Sequence, residues 1–241
     1  MPSDHTAHEN RFERWLREGR REEGDAIPAA TVVLVRDRDG AVETLMLRKN
    51  SKLAFGGMWV FPGGRIDEED RVGAVDVVDA AARAAVREAA EETGLIVDRD
   101  SLAWFAYWIP PAITPKRFAT WFFAAPAPDG IVEIDHGEIH ESGWMRPTDA
   151  LARRDAFEIE LAPPTWMTLH YLAEFTNVES LIADADAREP THYETRIANG
   201  ARGIAAMWAG DAGYESGDPD AVGPRHRLWL DDTGWRLDRF S

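Results

Sequence analysis

Cysteine is absent from all 241 residues, which excludes disulfides, thiolate zinc sites and cysteine nucleophiles. No apolar stretch reaches the roughly 18 residues that a membrane helix needs. The opening segment, MPSDHTAHENRFERWLREGRREEGDA, is polar and charged and lacks the apolar centre of a secretory signal. Positive charge is scarce as well. Lys and Arg number 27 against 43 Asp and Glu, a formal net charge of −16, and no basic run is long enough to offset it locally. Such a chain repels phosphate backbones. These absences lead to the expectation of a cytoplasmic protein with neither nucleic acid nor membrane as a partner.

What is present can build a core, since 44% of the residues are hydrophobic. Residues 1–27 read as an N-terminal charged segment with a short helix over 9–22. Residues 28–188 carry strands and helices in alternation, and 189–241 form a β-rich extension. Within the middle segment, AATVVLVRD and VETLMLRK are β-branched or alternating strands joined by the turn DRDG. WVFPGGR is a short strand stopped by Pro62, Gly63 and Gly64. An acidic, turn-like stretch over 65–78 is expected to lie exposed and to merge into a helix through AAARAAVREAAEE, with Asp76 or Asp79 as N-cap and Gly94 as terminator. LAWFAYWI and FATWFFAAP read as strands, and IVEIDHGEIHESGWM as strand, turn and strand. Helices are expected over 147–153 and, as one piece, 165–185. Strands mixed with helices indicate an α/β or α+β layered fold.

The chemistry concentrates on the long helix. Glu88, Glu91 and Glu92 stand at i, i+3 and i+4, which puts three carboxylates on one face. Like charges this close destabilise a helix. Arg87, four residues before Glu91, offsets one of them, and a divalent cation would offset the rest. Oxygen-only ligands suit Mg²⁺ or Mn²⁺. The bland alternative is a solvated face of salt bridges, which is the commoner use of such a run.

The context of FPGG upstream and Gly94 downstream decides between these readings, because here the sequence resembles the Nudix hydrolase family, whose pattern is G-x5-E-x7-R-E-U-x-E-E-x-G-U (U aliphatic). Arg87, Glu88, Glu91, Glu92, Gly94 and Leu95 fall on its second half and Gly64 on its first glycine. Gly64 and Arg87 are 23 positions apart instead of 14, so the box carries nine extra residues. Counted back from Arg87, the acidic position is Asp79, with Glu68 or Glu69 as substitutes from the inserted loop. The aliphatic position after Glu88 is Ala89. An enlarged box resembles the branch that includes the peroxisomal coenzyme A diphosphatases. Half of the upstream coenzyme A pattern is also met, by Arg48, Gly57 and Phe61 to Gly64, whereas Leu53 replaces its second arginine.

The resemblance implies an α/β/α sandwich with a mixed sheet, a C-terminal helix and the β-rich extension. It implies hydrolysis of a phosphoanhydride bond in a nucleotide-derived small molecule. Coenzyme A or an acyl derivative is favoured over ADP-ribose, dinucleotides or nucleotide sugars, and a non-catalytic nucleotide-binding module is the alternative of another class. A prenyl-diphosphate isomerase of this fold would need the missing cysteine. Glu88, Glu91, Glu92 and the carbonyl of Gly64 are the expected metal ligands. Arg87 orients a glutamate, and Glu138 is the candidate base with Glu141 second. Arg48, Phe55, Trp59, Lys116 and Arg117 are candidate substrate contacts, although aromatic residues beside a strand are more often core and a solvated strand end is the commoner setting for Lys116 and Arg117. The extension is expected to cover the core or to build a homodimer contact.

Overall fold

A computed structural model describes residues 26–50, 56–114, 116–231 and 234–240. The expected helix over 9–22 and the candidate Phe55 lie outside these residues. Strands β1 (Ile27–Arg38) and β2 (Ala41–Lys49) form a hairpin whose turn places Asp39 and Gly40 at positive φ. They belong to an eight-stranded mixed sheet in the order β3-β2-β1-β6-β5-β8. The remaining members of that path are β3 (Trp59–Val60), β5 (Ala103–Ile109), β6 (Phe118–Pro126) and β8 (Thr191–Glu194). Off the path, β4 (Gly63–Arg65) pairs with β1, and β7 (Ile139–Met145) pairs with β2.

The strands are apolar on both faces because both are covered. Val32, Leu34, Leu45, Leu47, Trp121 and Phe123 lie under the alanine face of a long helix. On the alternate positions Val33, Val35, Met46 and Phe122 are also buried. There Phe105 stacks on Tyr171 at 5.4 Å between ring centroids. The helices are α1 (Glu68–Arg71), α2 (Val77–Thr93), α3 (Pro147–Asp155), α4 (Pro163–Leu172) and α5 (Val178–Ala187). None of the described helices is long and apolar enough to cross a membrane.

Two expectations are corrected. The helix anticipated over 165–185 is broken into α4 and α5, because Asn177 is an N-cap in extended conformation whose side chain accepts from the Ser180 N–H. The strand anticipated at the start of IVEIDHGEIHESGWM does not form. Instead the N–H groups of Glu133 and Asp135 donate to the carbonyls of Thr93 (2.8 Å) and Glu92 (3.3 Å), so this segment binds the end of α2 rather than a sheet.

By compactness the described chain divides into two units, one of residues 27–107 with 120–192, the other of 108–119 with 193–241. The second holds an antiparallel four-stranded sheet, β12-β11-β10-β9, made of β9 (Arg196–Gly200), β10 (Gly203–Met207), β11 (Arg225–Asp231) and β12 (Gly234–Phe240). Ala205, Met207, Tyr214 and Trp229 form its apolar cluster, and a buried polar pair lies against Trp229. Arg227 is fully buried and donates to both carboxylate oxygens of Asp211 and to the Pro219 carbonyl. Asp211 also accepts from the N–H groups of His226 and Gly213, each at 2.8 Å. Around this pair the indole of Trp208 donates to Thr195 at 3.0 Å, and Trp108 stacks on Tyr193 at 3.9 Å.

Candidate active site

The site begins with two glycines. β4 lies so close to β1 that a Cβ on Gly63 would fall 2.4 Å from the Ala30 carbonyl oxygen, and one on Gly64 would fall 2.3–2.4 Å from the Glu88 carboxylate. At Gly63 the obstacle is backbone and only glycine fits, whereas at Gly64 an added Cβ would displace the end of the Glu88 side chain. α2 is positioned by Asp76, whose side chain accepts the Asp79 N–H, and is closed by Gly94 at φ +71°. Ala80, Ala81, Ala84, Ala85 and Ala89 are its buried face. Their small size lets the helix axis approach the sheet, which explains why alanine serves at position 89.

The same face, continued at i+4 steps from Ala80 and Ala84 to Glu88 and Glu92, presents the carboxylates. Glu92 is buried, accepting from the Gly63 N–H at 2.9 Å and from the Lys49 ammonium at 2.7 Å. Burial pushes its carboxyl above the ordinary range, against the pull of Lys49 and Gly63. Glu88 is likewise pushed up by burial, which outweighs Arg87, with Glu92 and Glu91 adding repulsion. Arg87 donates from Nη1 to Glu88 (2.8 Å) and Glu91 (3.1 Å). The last turn of α2 contains no basic residue.

The residue behind Arg87 is neither Asp79 nor Glu68 or Glu69. Asp70 takes the guanidinium in a bidentate pair, Nε to Oδ1 at 3.1 Å and Nη2 to Oδ2 at 2.9 Å. Burial alone would raise the Asp70 carboxyl, but Arg87 and the Asp67 N–H hold it below the ordinary range, and Asp70 in turn holds Arg87 well above its own. Asp79 instead accepts from the Val75 N–H, Arg83 and Arg99. Arg83 also donates to the carbonyls of Val72 and Gly73. The stretch over 65–78 is therefore not a uniformly exposed loop. It contains α1, is pinned by two arginines of α2 and turns Asp70 inward, leaving Val72 and Val75 outside.

Glu138 stands at the same site, with its carboxylate 3.8 Å from the Lys49 ammonium and its carbonyl accepting from the Asn50 N–H at 2.8 Å. Arg48 points elsewhere, 3.5 Å from Glu141, and both are well exposed. Trp59 is buried against Gly143 and near Arg153, with its backbone N–H donating to the Glu160 carbonyl. It is core, and the expectation that it stacks on a substrate is corrected. Lys116 lies near the Phe118 ring and Arg117 donates to the Pro110 carbonyl, both within the second unit. Sequence reasoning missed Lys49 and Asp70. Alternation from Leu47 would have placed the first on the helix side of β2, and counting six positions onward from Gly64 would have found the second.

The description "NUDIX domain" matches residues 26–167, more than half of the chain. The chain belongs to the NUDIX family. It is a pyrophosphohydrolase of that family, whose members act on small nucleotide-derived substrates and generally use divalent metals. The NUDIX chain is 29% identical over 125 residues to the RNA pyrophosphohydrolase of Dinoroseobacter shibae, an alignment covering 41% of this chain and 78% of that one. Among solved structures it is similar to a NUDIX hydrolase from Alicyclobacillus acidocaldarius, with a TM-score of 0.62 and 24% identity over 67% of this chain and 97% of the other. That likeness bears on the fold.

A divalent cation fits the donor set. As the side chains stand, no three His, Asp or Glu among the described residues are grouped as ligands, because Arg87 and Lys49 draw the carboxylates to themselves. The donors are nonetheless all oxygens, crowded and short of positive charge. Gly64 leaves the Glu88 carboxylate a space beside the backbone that a Cβ would fill.

Proposed function

We propose that the chain hydrolyses a phosphoanhydride bond in a nucleoside diphosphate derivative with Mg²⁺ or Mn²⁺, and that coenzyme A or an acyl-coenzyme A is its substrate. The observation that carries the reading is the convergence of Glu88, Glu92 and Gly64 with Arg87 locked behind them by Asp70. Glu88, Glu92 and the Gly64 carbonyl would hold the metal, with Glu91 binding it directly or through water. The ion would supply charge to the phosphate oxygens and acidify water. Glu138 accepts a proton from the attacking water. That water's oxygen bonds to phosphorus as the bridging P–O bond breaks, and the leaving phosphate departs with the electron pair. Arg87 keeps Glu88 and Glu91 aimed throughout. Phosphoryl transfer needs little covalent chemistry from a protein, so fixed carboxylates are most of what this chain must provide.

The coenzyme A assignment rests on the enlarged box and the half-matched upstream pattern; Arg48, exposed and 3.5 Å from Glu141, lies on the face of its strand opposite Lys49 and adds no geometric support. Coenzyme A cut between its phosphates yields 3′,5′-ADP and 4′-phosphopantetheine. A pyrophosphate linkage on RNA is the second reading, favoured by the Dinoroseobacter relative and opposed by the net charge of −16. Incubation with coenzyme A, ADP-ribose, dinucleotides, nucleotide sugars, ATP and 5′-triphosphorylated RNA, each with Mg²⁺ or Mn²⁺ and read by product mass, tests both. The expected result is faster cleavage of coenzyme A than of ATP. Coenzyme A left intact while another diphosphate is cut would end the substrate assignment, and no cleavage of any would leave the non-catalytic binding module.

A further inference from the structure

Lys49 closes β2. Leu45 and Leu47 of that strand are buried beneath α2, so the two-residue alternation carries the same row onto Lys49 and sends Arg48 the other way. Its backbone is fixed on both sides, the N–H donating to the Met58 carbonyl at 3.1 Å and the carbonyl accepting from Gly57 at 2.9 Å. The side chain is only 14% exposed, and its ammonium is 2.7 Å from Glu92 Oε1 and 3.8 Å from Glu138 Oε2. Confining a lysine stem costs rotamer freedom that a surface lysine keeps. Here the confined charge lies between a candidate ligand and the candidate base, on the side of Glu92 opposite the Gly63 N–H.

We propose that Lys49 is a positioning residue of the hydrolytic site: its ammonium fixes Glu92 and Glu138 relative to each other and is the counter-charge with which a divalent cation must share Glu92. The inference rests on reading Glu92 as a metal ligand. It has two opposed consequences. Without metal, removing Lys49 leaves a buried carboxylate short of a partner and weakens the fold. With metal, removing it takes away a competing positive charge and strengthens metal binding. A lysine with a merely structural task gives the first effect and not the second.

The test compares the full chain with Lys49→Met, Lys49→Gln and Lys49→Arg. Mn²⁺ affinity is read by water-proton relaxation without substrate, stability by thermal melts in EDTA and in saturating Mn²⁺, and kcat and KM on whichever diphosphate is cleaved. Lys49→Met and Lys49→Gln are expected to bind Mn²⁺ about tenfold more tightly, the effect of one partly screened charge. They should melt lower in EDTA, recover in Mn²⁺, and lose kcat at little-changed KM, whereas Lys49→Arg keeps the parental Mn²⁺ affinity. Folding only with Mn²⁺ also supports the proposal. Unchanged Mn²⁺ affinity in both neutral variants, or failure of both to fold even with Mn²⁺, overturns it. Glu92→Gln separates the two layers. If it still binds Mn²⁺ as well as the parent, the ligand reading is wrong. If it loses binding while the Lys49 variants change nothing, only the role of Lys49 falls.

Discussion

At the scale of single residues, Gly64 has the sharpest consequence. Its backbone is of a kind that alanine tolerates, yet a Cβ there would lie 2.3–2.4 Å from the atoms of the Glu88 carboxylate. Those atoms end a flexible side chain, so the fold survives and Glu88 moves. Gly64→Ala is expected to keep the parental melting temperature within a few degrees and to lose on the order of 100-fold in kcat, the effect of displacing a reacting group by about 1 Å. Retained turnover would show that Glu88 is not held against Gly64 for catalysis. The three glutamates and Arg87 were legible as sequence because helix periodicity is local. The neighbours of Glu92 were not. Lys49 and Gly63 are 43 and 29 positions away, and only the pairing of strands brings them near. That pairing also changes what Glu92→Gln does to stability. Relief of repulsion on the helix is opposed by the loss of a charged partner for Lys49.

At the scale of elements, the nine extra residues fall between Asp70 and Arg87, after the acidic position and not before it. Asp70 keeps its distance from Gly64, and the insertion bulges outward through Val72 to Val75, held at its base by Arg83. A one-letter pattern counted from the arginine end could only arrive at Asp79, which holds the bulge together instead. The two aspartates are therefore expected to separate cleanly. Asp70→Asn should cost about 10- to 100-fold in activity, as loss of a group that orients ligands does. Asp79→Asn should leave kcat unchanged and affect only the ordering of the bulge. Steady-state rates of the two variants, compared at saturating Mg²⁺, check this, and equal losses would contradict it.

At the scale of the whole molecule, the sandwich and its binary pattern were readable because strands buried on both faces leave continuous apolar runs. The second unit was readable only as strand-like pieces, since its apolar cluster is small and a buried pair, Asp211 and Arg227, is joined across 16 residues. This unit should answer to acid in two stages. Burial pushes the His226 imidazole down, its Nδ1 lies 3.0 Å from the Ala209 carbonyl, and its buried Nε2 has no hydrogen-bond partner to receive a second proton. A histidine with a lowered folded pKa contributes stability above its unfolded value and loses it as the pH falls below that value. For Asp211 burial works upward, but Arg227 and the N–H groups of His226 and Gly213 hold the carboxyl below 3.8, so its contribution is lost only as the pH falls through that lowered value. Between about pH 7.5 and about pH 5.5, a window set by the ordinary histidine value, the Trp208 indole N–H resonance should melt at steadily lower temperature. His226→Gln should flatten that dependence, and a slope that survives the substitution would assign it to another group.

The irregular segment that bonds the carbonyls of Glu92 and Thr93 also leads within a few residues to Glu138. The candidate base is thus moored to the end of the helix that carries the candidate ligands, and the two are expected to open and close together. Hydrogen exchange would show this directly. The amides of Glu133 and Asp135, in a stretch without regular structure, should exchange as slowly as those of the last turn of α2 and by the same cooperative opening. Rapid exchange at both would mean that the base swings independently of the helix.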